Sequence, residues 1–294
     1  YHQTMHYPGW IWDLPEVLAV PYDVTTHDYL PICPRITFLN GQGQFCGSLQ
    51  WETDACDRCL DQFGLPEGMA ATFASFGGDV ESWRARHQKH LRKATQVFAP
   101  TESAAGPYRE HFRLTNLTIR PHPRSEKNRP KNQRRQLDAS RGADAHVRIA
   151  VIGAIGQSKG YGLLAECIQD AELRDLPLAF IIVGHTENDD ALRQHDNVRI
   201  SGRYREGQAA EILRQSGAQI ALFLSPWPET WSYTLTEALE EGLYPVTLDI
   251  GAIAERMRGL KAGLVLPEDS SAQKINAALV ELSESEELIA NQVI

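Results

Sequence analysis

Three features are missing from the sequence, and each absence narrows the class of protein. No apolar run approaches the roughly 18 residues that a membrane span requires. The 29 Lys and Arg are outnumbered by 38 Asp and Glu, which gives a net charge of −9. That balance argues against a nucleic-acid-binding protein that works through a broad basic face. No charged-then-apolar leader is visible, so we expect a cytoplasmic protein, with the inner membrane face as a candidate place of work.

Two common phosphate-binding motifs are missing as well. The loop 153–160 follows an apolar run and carries the pattern G-x-x-G. A dinucleotide fingerprint needs G-x-G-x-x-G and an acidic residue about 20 positions further on. A Walker A loop is also absent. The loop therefore fits neither pattern.

What is present is the composition of a soluble globular protein, with 42% hydrophobic and 23% charged residues. The 294 residues are enough for two domains. From residue 147 onward, apolar runs alternate with helical patterns, which predicts a parallel, doubly wound α/β sheet. We predict a first domain over 1–122, a basic linker over 123–146 and a second domain over 147–294. The apolar runs of the second domain are 147–152, 178–183, 198–200, 220–224 and 246–248.

The most informative stretch lies between the run 220–224 and Gly242. Glu229 and Glu237 stand eight residues apart there, across what reads as a loop followed by the start of a helix. In an open α/β sheet, ligands bind beyond the carboxyl ends of the strands, where helix N-termini offer N–H groups to an anion. The placement suits a ligand with a phosphate in the middle and hydroxyl groups at both ends. Two solvated surface glutamates are the alternative.

The spacing of the two glutamates, with the segments 234–238 (TLTEA) and 242–246 (GLYPV), resembles retaining glycosyltransferases of the GT-B fold, in particular family 4. The resemblance implies two Rossmann-like domains and a donor that is a UDP- or GDP-sugar, with no catalytic metal. By the same resemblance, Glu229 faces the donor sugar and Glu237 holds the ribose hydroxyls. The backbone at Thr234 and Leu235 meets the diphosphate.

Three further positions are similar to the family's donor site. His27 follows a β-branched run and resembles the histidine near the donor sugar and reaction centre; a histidine that only ends a strand is the alternative. Gly156 and Lys159 lie in the loop 153–160, where the resemblance implies that the Lys neutralises the diphosphate. The family's Arg partner, expected near position 154, is Ala154 here.

Gly184, Arg203 and Tyr204 follow successive strands and resemble the family's nucleobase-binding loops; ordinary βα turns are the alternative. The strand before His27 comes almost at the start, so we expect the N-terminal, acceptor-side domain to be partial. The resemblance implies transfer to a saccharide or lipid-linked acceptor in cell-surface polysaccharide synthesis, with peripheral membrane contact. Two alternatives stay open, a GT-B-fold nucleotide-sugar epimerase or hydrolase and a non-catalytic nucleotide-sugar-binding module. No nucleic-acid partner is expected.

Four of the five cysteines, Cys33, Cys46, Cys56 and Cys59, crowd into one short region that ends in a C-x2-C pair. Four thiolates are the number that a structural Zn²⁺ site needs, and a C-x2-C pair supplies two ligands from one knuckle. A structural zinc site is therefore one interpretation. The others are an iron–sulfur cluster, a disulfide pair, which a cytosolic location disfavours, and cysteines that simply pack together.

Overall fold

A computed structural model describes residues 7–47, 52–122, 146–205 and 207–284. The chain divides into two compact units. The first unit takes residues 1–122 together with Trp227–Trp231, and the second takes residues 123–226 and 232–294. The predicted linker 123–146 lies outside the described residues except for its last position. The short segment Trp227–Trp231 joins the first unit although the sequence around it belongs to the second.

The first unit is built on a three-stranded parallel sheet in the order β1-β2-β3. The register places Val24 beside Val97 and Val97 beside Leu117. The side chains of Val24 and Val97 are buried, so the middle of this sheet contributes to the core. The strands are β1 (Asp23–Thr25), β2 (Gln96–Ala99) and β3 (Leu117–Ile119).

Two helices of the first unit, α4 (Val80–Lys93) and α5 (Glu102–Phe112), begin at polar side chains that satisfy backbone N–H groups. Asp79 accepts a hydrogen bond from Ser82 N at 2.7 Å, and Thr101 accepts one from Ala104 N at 3.2 Å. Both are standard N-cap contacts that fix where α4 and α5 start. The helices are α1 (Leu14–Val17), α2 (Thr53–Phe63), α3 (Ala70–Ser75), α4 (Val80–Lys93) and α5 (Glu102–Phe112), preceded by a 3-10 helix over Gly9–Asp13.

The second unit contains a six-stranded sheet in the order β6-β5-β4-β7-β8-β9, and every neighbouring pair is parallel. The prediction of a parallel α/β sheet is confirmed. The last strand, β9, was not predicted. The strands are β4 (Val147–Ile155), β5 (Leu178–Thr186), β6 (Val198–Ile200), β7 (Ile220–Phe223), β8 (Tyr244–Leu248) and β9 (Leu264–Leu266).

Helices cover both faces of this sheet, because alternate residues of β4 enter two separate cores. Ile149 and Val151 pack in a core with α6 and α11, whereas Ala150 and Ile152 pack in a core with α8, α9 and α10. None of the helices in the described ranges combines the length and apolar character that a membrane crossing needs. The helices are α6 (Tyr161–Leu173), α7 (Asp189–Leu192), α8 (Ala209–Ser216), α9 (Tyr233–Glu240), α10 (Gly251–Leu260) and α11 (Ala272–Glu284).

Candidate active site

The strand order of the second unit creates a switch point between β4 and β7. From β4 the chain moves outward through β5 and β6, and it then returns to β7 on the other side of β4 and continues through β8 and β9. Crevices at such switch points, beyond the carboxyl ends of the strands, are where open α/β sheets bind ligands. The turn after β4 and the helix α9 after β7 flank this crevice from its two sides.

The turn after β4 holds Lys159 at the switch point. A 3-10 helix spans Gln157–Lys159 and ends at Gly160, whose φ is +81°. A Cβ atom on Gly160 would lie 2.0 Å from the carbonyl oxygen of Leu224, so only glycine lets the turn pack against the end of β7. Ser225 adds a hydrogen bond from its Oγ to the carbonyl of Ser158 at 3.3 Å.

Gly156, the predicted partner of Lys159 in diphosphate binding, lies beside a carboxylate that the sequence did not indicate. The backbone N–H of Gln157 donates to Glu187 Oε2 at 3.1 Å, and a Cβ on Gly156 would lie 3.7 Å from the same oxygen. In this structure a carboxylate therefore occupies one backbone donor of the turn. An incoming phosphate can use that donor only after the Glu187 side chain moves.

The N-terminus of α9 is fixed by its own cap. Ser232 Oγ accepts from Leu235 N at 3.2 Å and lies 3.0 Å from Thr234 Oγ1. The backbone at Leu235 was predicted to meet the diphosphate; in this structure its N–H donates to the cap, and its side chain is fully buried. Thr234 lies against the end of β4, where its methyl group is 3.7 Å from the position of a Cβ on Gly153. The first turn of α9 thus sits at the switch point.

Glu237 and Tyr204, predicted to contact the ribose and the base, are neighbours. Both side chains are half-buried. The pKa of Tyr204 is raised by its burial and by the nearby carboxylate of Glu237. Arg203, the second residue predicted to contact the base, is exposed. The loop that carries Tyr204 and the helix α9 that carries Glu237 therefore lie side by side.

Gly184, also predicted near the base, has a packing role in the structure. Its φ is +134°, and a Cβ there would lie 2.0 Å from the carbonyl oxygen of Gly153. The glycine is needed for the close approach of β5 to β4. Its N–H donates to Ser201 Oγ at 2.9 Å. Strand packing accounts for this glycine without a ligand.

One functional candidate escaped the sequence reasoning. Arg256 of α10 donates from Nη1 to the carbonyl of Ser232 at 2.6 Å and from Nη2 to Thr236 Oγ1 at 2.8 Å. Burial lowers the pKa of its guanidinium to about 10, so the group stays charged at neutral pH. Arg256 carries no motif, and only the fold brings it to the first turn of α9.

Two of the predicted catalytic residues, His27 and Glu229, belong to the first unit. His27 follows β1, and its carbonyl accepts a hydrogen bond from the hydroxyl of Thr230. Thr101 Oγ1 donates to the carbonyl of Thr230 at 3.4 Å. Glu229 is only 5% exposed, which is unusual for a glutamate and does not fit the alternative of a solvated surface charge.

The remaining contacts of this segment come from aromatic residues. Tyr29 donates from its hydroxyl to the carbonyl of Pro228 at 2.8 Å, and its ring meets that of Trp227 edge-on at 6.0 Å. His122 meets Trp231 edge-on at 5.3 Å. The segment Trp227–Trp231 is therefore held in the first unit, whereas Lys159, the third predicted catalytic residue, is in the second.

The predicted zinc site is not supported. No group of three or more His, Cys, Asp or Glu side chains in the described part of the chain is arranged to hold a metal ion. Burial raises the pKa of the Cys33 thiol to about 12. Arg84 donates to the sulfur of Cys56 at 3.1 Å. All four cysteines are free thiols, which also leaves the disulfide alternative without support.

The sequence of the second unit matches a known protein family. Residues 146–285 match the model of Glycosyl transferases group 1. The group 1 match includes the turn with Lys159, the Tyr204 loop, α9 with Glu237, and Arg256. No curated protein sequence was found to match the chain.

Solved structures resemble the fold at low sequence identity. Anabaena HepE in complex with UDP and glucose has a TM-score of 0.57 and 14% identity, covering 96% of this chain and 67% of HepE. A mutant of S. aureus TarM, in complex with fondaparinux, alpha-GlcNAc-glycerol and UDP, has a TM-score of 0.57 and 12% identity, covering 95% of this chain and 48% of TarM. The lipopolysaccharide outer core galactosyltransferase WaaB has a TM-score of 0.57 and 10% identity, covering 96% of this chain and 72% of WaaB.

These likenesses concern the fold. The chain has an α/β fold with parallel sheets, similar to that of GT-B glycosyltransferases. It spans about two thirds of the HepE chain and about half of the TarM chain.

Proposed function

We propose that the chain is a retaining, metal-independent glycosyltransferase that moves a sugar from a nucleotide-diphospho-sugar to a saccharide or lipid-linked acceptor. The observation that carries the proposal is the meeting of the Lys159 turn and the α9 N-terminus at the switch point of the second sheet. The group 1 match over residues 146–285 supports it, because the matched region contains both elements.

The donor is proposed to lie along the crevice with its diphosphate at the centre. Lys159 supplies an ammonium group, and the first turn of α9 supplies N–H groups and a positive dipole end. Glu237 accepts hydrogen bonds from the ribose hydroxyls, and Tyr204 and Arg203 contact the base. The neighbourhood of Glu237 and Tyr204 supports this division, since ribose and base are adjacent in any nucleotide. UDP is present in the HepE and TarM complexes, and GDP is the second candidate.

The proposed reaction replaces one bond at the anomeric carbon by another on the same face. The bond to the diphosphate oxygen breaks, a bond to the acceptor oxygen forms, and the acceptor proton passes to an oxygen of the departing diphosphate. Lys159 offsets the charge that develops on that diphosphate. Glu229 and His27 are proposed to act on the sugar and the reaction centre. Their membership of one unit supports a joint role.

The acceptor is proposed to bind the partial domain over residues 1–122. We place the protein in the cytoplasm, in cell-surface polysaccharide synthesis, with contact to the inner membrane face. The basic linker 123–146 is the part of the sequence that would attract acidic lipid. Nearly all of it lies outside the described residues.

A product assay tests the reaction class. The purified chain is incubated with a panel of UDP- and GDP-sugars, with and without saccharide and lipid-linked acceptors, and the products are followed by proton NMR. We expect a glycoside with the anomeric configuration of the donor, formed only with an acceptor. Free sugar or an epimer formed without acceptor would favour the hydrolase or epimerase alternative. Binding of a donor with no turnover under any condition would favour the non-catalytic module.

A further inference from the structure

We propose that Arg256 is a positioning residue of the donor site, which orients the first turn of α9 and strengthens its attraction for the donor diphosphate. The inference rests on the proposed function, because it assigns a residue to the same crevice. Arg256 does not belong to the segments on which the resemblance to glycosyltransferases depends. It reaches α9 from the neighbouring helix α10.

The geometry ties both ends of one helical turn to a single planar group. The carbonyl of Ser232 lies at the N-cap of α9, and the hydroxyl of Thr236 lies four residues further on. The guanidinium bonds them at 2.6 and 2.8 Å, so it spans the turn that is proposed to receive the phosphate. Glu237 follows Thr236 directly, and a shift of this turn would therefore move the ribose contact too. A fork of fixed N–H donors limits such shifts better than a flexible ammonium does.

The charge of Arg256 also acts on the helix end. The N-terminus of a helix carries the positive end of the dipole and attracts anions. Arg256 is half-buried beside this first turn, and a partly buried charge is poorly screened. Its charge therefore adds to the attraction of this helix end for a dianionic diphosphate.

A second arginine of α10, Arg258, lies in a different environment. Arg258 lies two residues further on, its side chain is 54% exposed, and it forms an ion pair with Asp249. The same helix thus carries one arginine beneath the first turn of α9 and one at the surface. Arg258 has no part in the proposed donor site, which makes it a matched control.

The test compares binding of a nucleoside diphosphate with binding of its nucleoside. Wild type, Arg256→Lys, Arg256→Met and Arg258→Met are titrated by calorimetry with UDP and GDP, and uridine or guanosine is measured by competition. We expect Arg256→Met to weaken diphosphate binding by roughly tenfold, because the helix end loses a nearby positive charge and the first turn of α9 loses the two hydrogen bonds that hold it. In Arg256→Met, nucleoside binding should weaken by less than about threefold. Arg256→Lys should recover part of the lost diphosphate affinity, and Arg258→Met should bind both ligands like wild type.

Each outcome separates the inference from the proposed function. A wild-type protein that binds neither UDP nor GDP refutes the donor site itself. A wild type that binds, with unchanged affinity in Arg256→Met, overturns only the inference. Equal losses for the diphosphate and the nucleoside also overturn it, because Arg256 would then support the fold alone. If Arg256→Met does not fold, Thr236→Val removes one of the two acceptors instead, and an unchanged diphosphate affinity in that variant overturns the proposal.

Discussion

The first unit should lose stability as the pH falls below neutrality, because it buries two neutral histidines. His87 is fully buried, and desolvation lowers its pKa from 6.5 to about 3. His90, three residues further along α4, has a pKa lowered to about 4, also by burial. The ring of His87 places Nδ1 2.8 Å from the carbonyl of Trp83, so Nδ1 carries the proton of the neutral ring. Its Nε2 has no hydrogen-bond partner among the described residues.

The magnitude follows from the difference between the folded and unfolded pKa values. Below pH 6.5 the unfolded chain binds a proton at each ring while the folded chain does not, so the free energy of unfolding falls as the pH falls. At pH 5 the solution is about 1.5 pH units below the unfolded pKa of His87 but still above its folded pKa. The protonation of His87 in the unfolded chain therefore lowers the free energy of unfolding by about 2 kcal/mol. His90 contributes a similar amount, and the two together give about 4 kcal/mol between pH 7.5 and 5. The stability is fully present above pH 6.5.

Tryptophan fluorescence isolates this unit, because all six tryptophans fall within it. Urea unfolding is followed at a series of pH values for wild type, His87→Asn and Gln88→Asn. His87→Asn removes one titrating ring, and Gln88→Asn places the same residue at the next, non-titrating position of α4. We expect the first variant to lose the share of His87, about 2 kcal/mol between pH 7.5 and 5, and the second to keep it. His90 and His111, whose pKa burial also lowers to about 4, still contribute to the slope in both variants.

The comparison concerns slopes, so a general loss of stability in His87→Asn does not affect it. Carboxylates add their own pH dependence, but they are the same in all three proteins. A wild type whose first unit is equally stable at pH 7.5 and 5 would refute the reasoning. So would a His87→Asn slope identical to that of wild type.

Three further predictions concern the second unit and the cysteines. Ser232→Ala removes the N-cap of α9 and should lower the free energy of unfolding by about 1 kcal/mol in urea titrations followed by circular dichroism, whereas an unchanged value would contradict the cap. Gly160→Ala should cost more than about 2 kcal/mol, because its Cβ would lie 2.0 Å from the carbonyl of Leu224. Gly162→Ala, in the first turn of α6 where a Cβ would meet no atom within 4 Å, should be neutral or stabilising, and equal costs for the two glycines would be inconsistent with the packing. Cys167 of α6, fully buried and with its pKa raised to about 12, should react with iodoacetamide at pH 8 about a thousandfold more slowly than in the unfolded chain. Peptide mass mapping measures both rates, and equal rates would disprove the shift.

The strands of the second unit could be predicted because they are buried on both faces. A parallel strand covered by helices on each side reads as a continuous apolar run, as in 147–152 and 178–183. β9 was missed: it has three half-buried residues at the edge of the sheet. β6 is as short and lies at the opposite edge, yet it was predicted, so length and burial alone do not explain why β9 was missed.

The membership of Trp227–Trp231 could not be predicted, because it depends on contacts between distant residues. The hydroxyl of Tyr29 and the carbonyl of Pro228 are 199 positions apart, and local propensity carries no information about such a pair. Glu229 was recognised as a candidate through its spacing to Glu237. Its burial and its membership of the first unit became visible only in three dimensions.

The cysteines and Arg256 both show that a local sequence pattern does not determine which side chains meet in the fold. The spacing of the C-x2-C pair predicted a metal knuckle, but spacing does not fix whether four sulfur atoms point at one centre. Arg256 carried no pattern at all, yet the packing of α10 beside α9 gives it two hydrogen bonds at the proposed donor site. Residue type in a local pattern predicts which groups are available. Only the tertiary contacts determine which of them meet.

Calorimetric titration with UDP and GDP, comparing wild type with Glu237→Gln and Lys159→Met, tests the donor site most directly. The account predicts that wild type binds one of the two nucleotides. Lys159→Met should weaken diphosphate binding more than nucleoside binding, and Glu237→Gln should weaken both by about tenfold. A wild type that binds neither nucleotide, or variants that bind as well as wild type, would contradict the account.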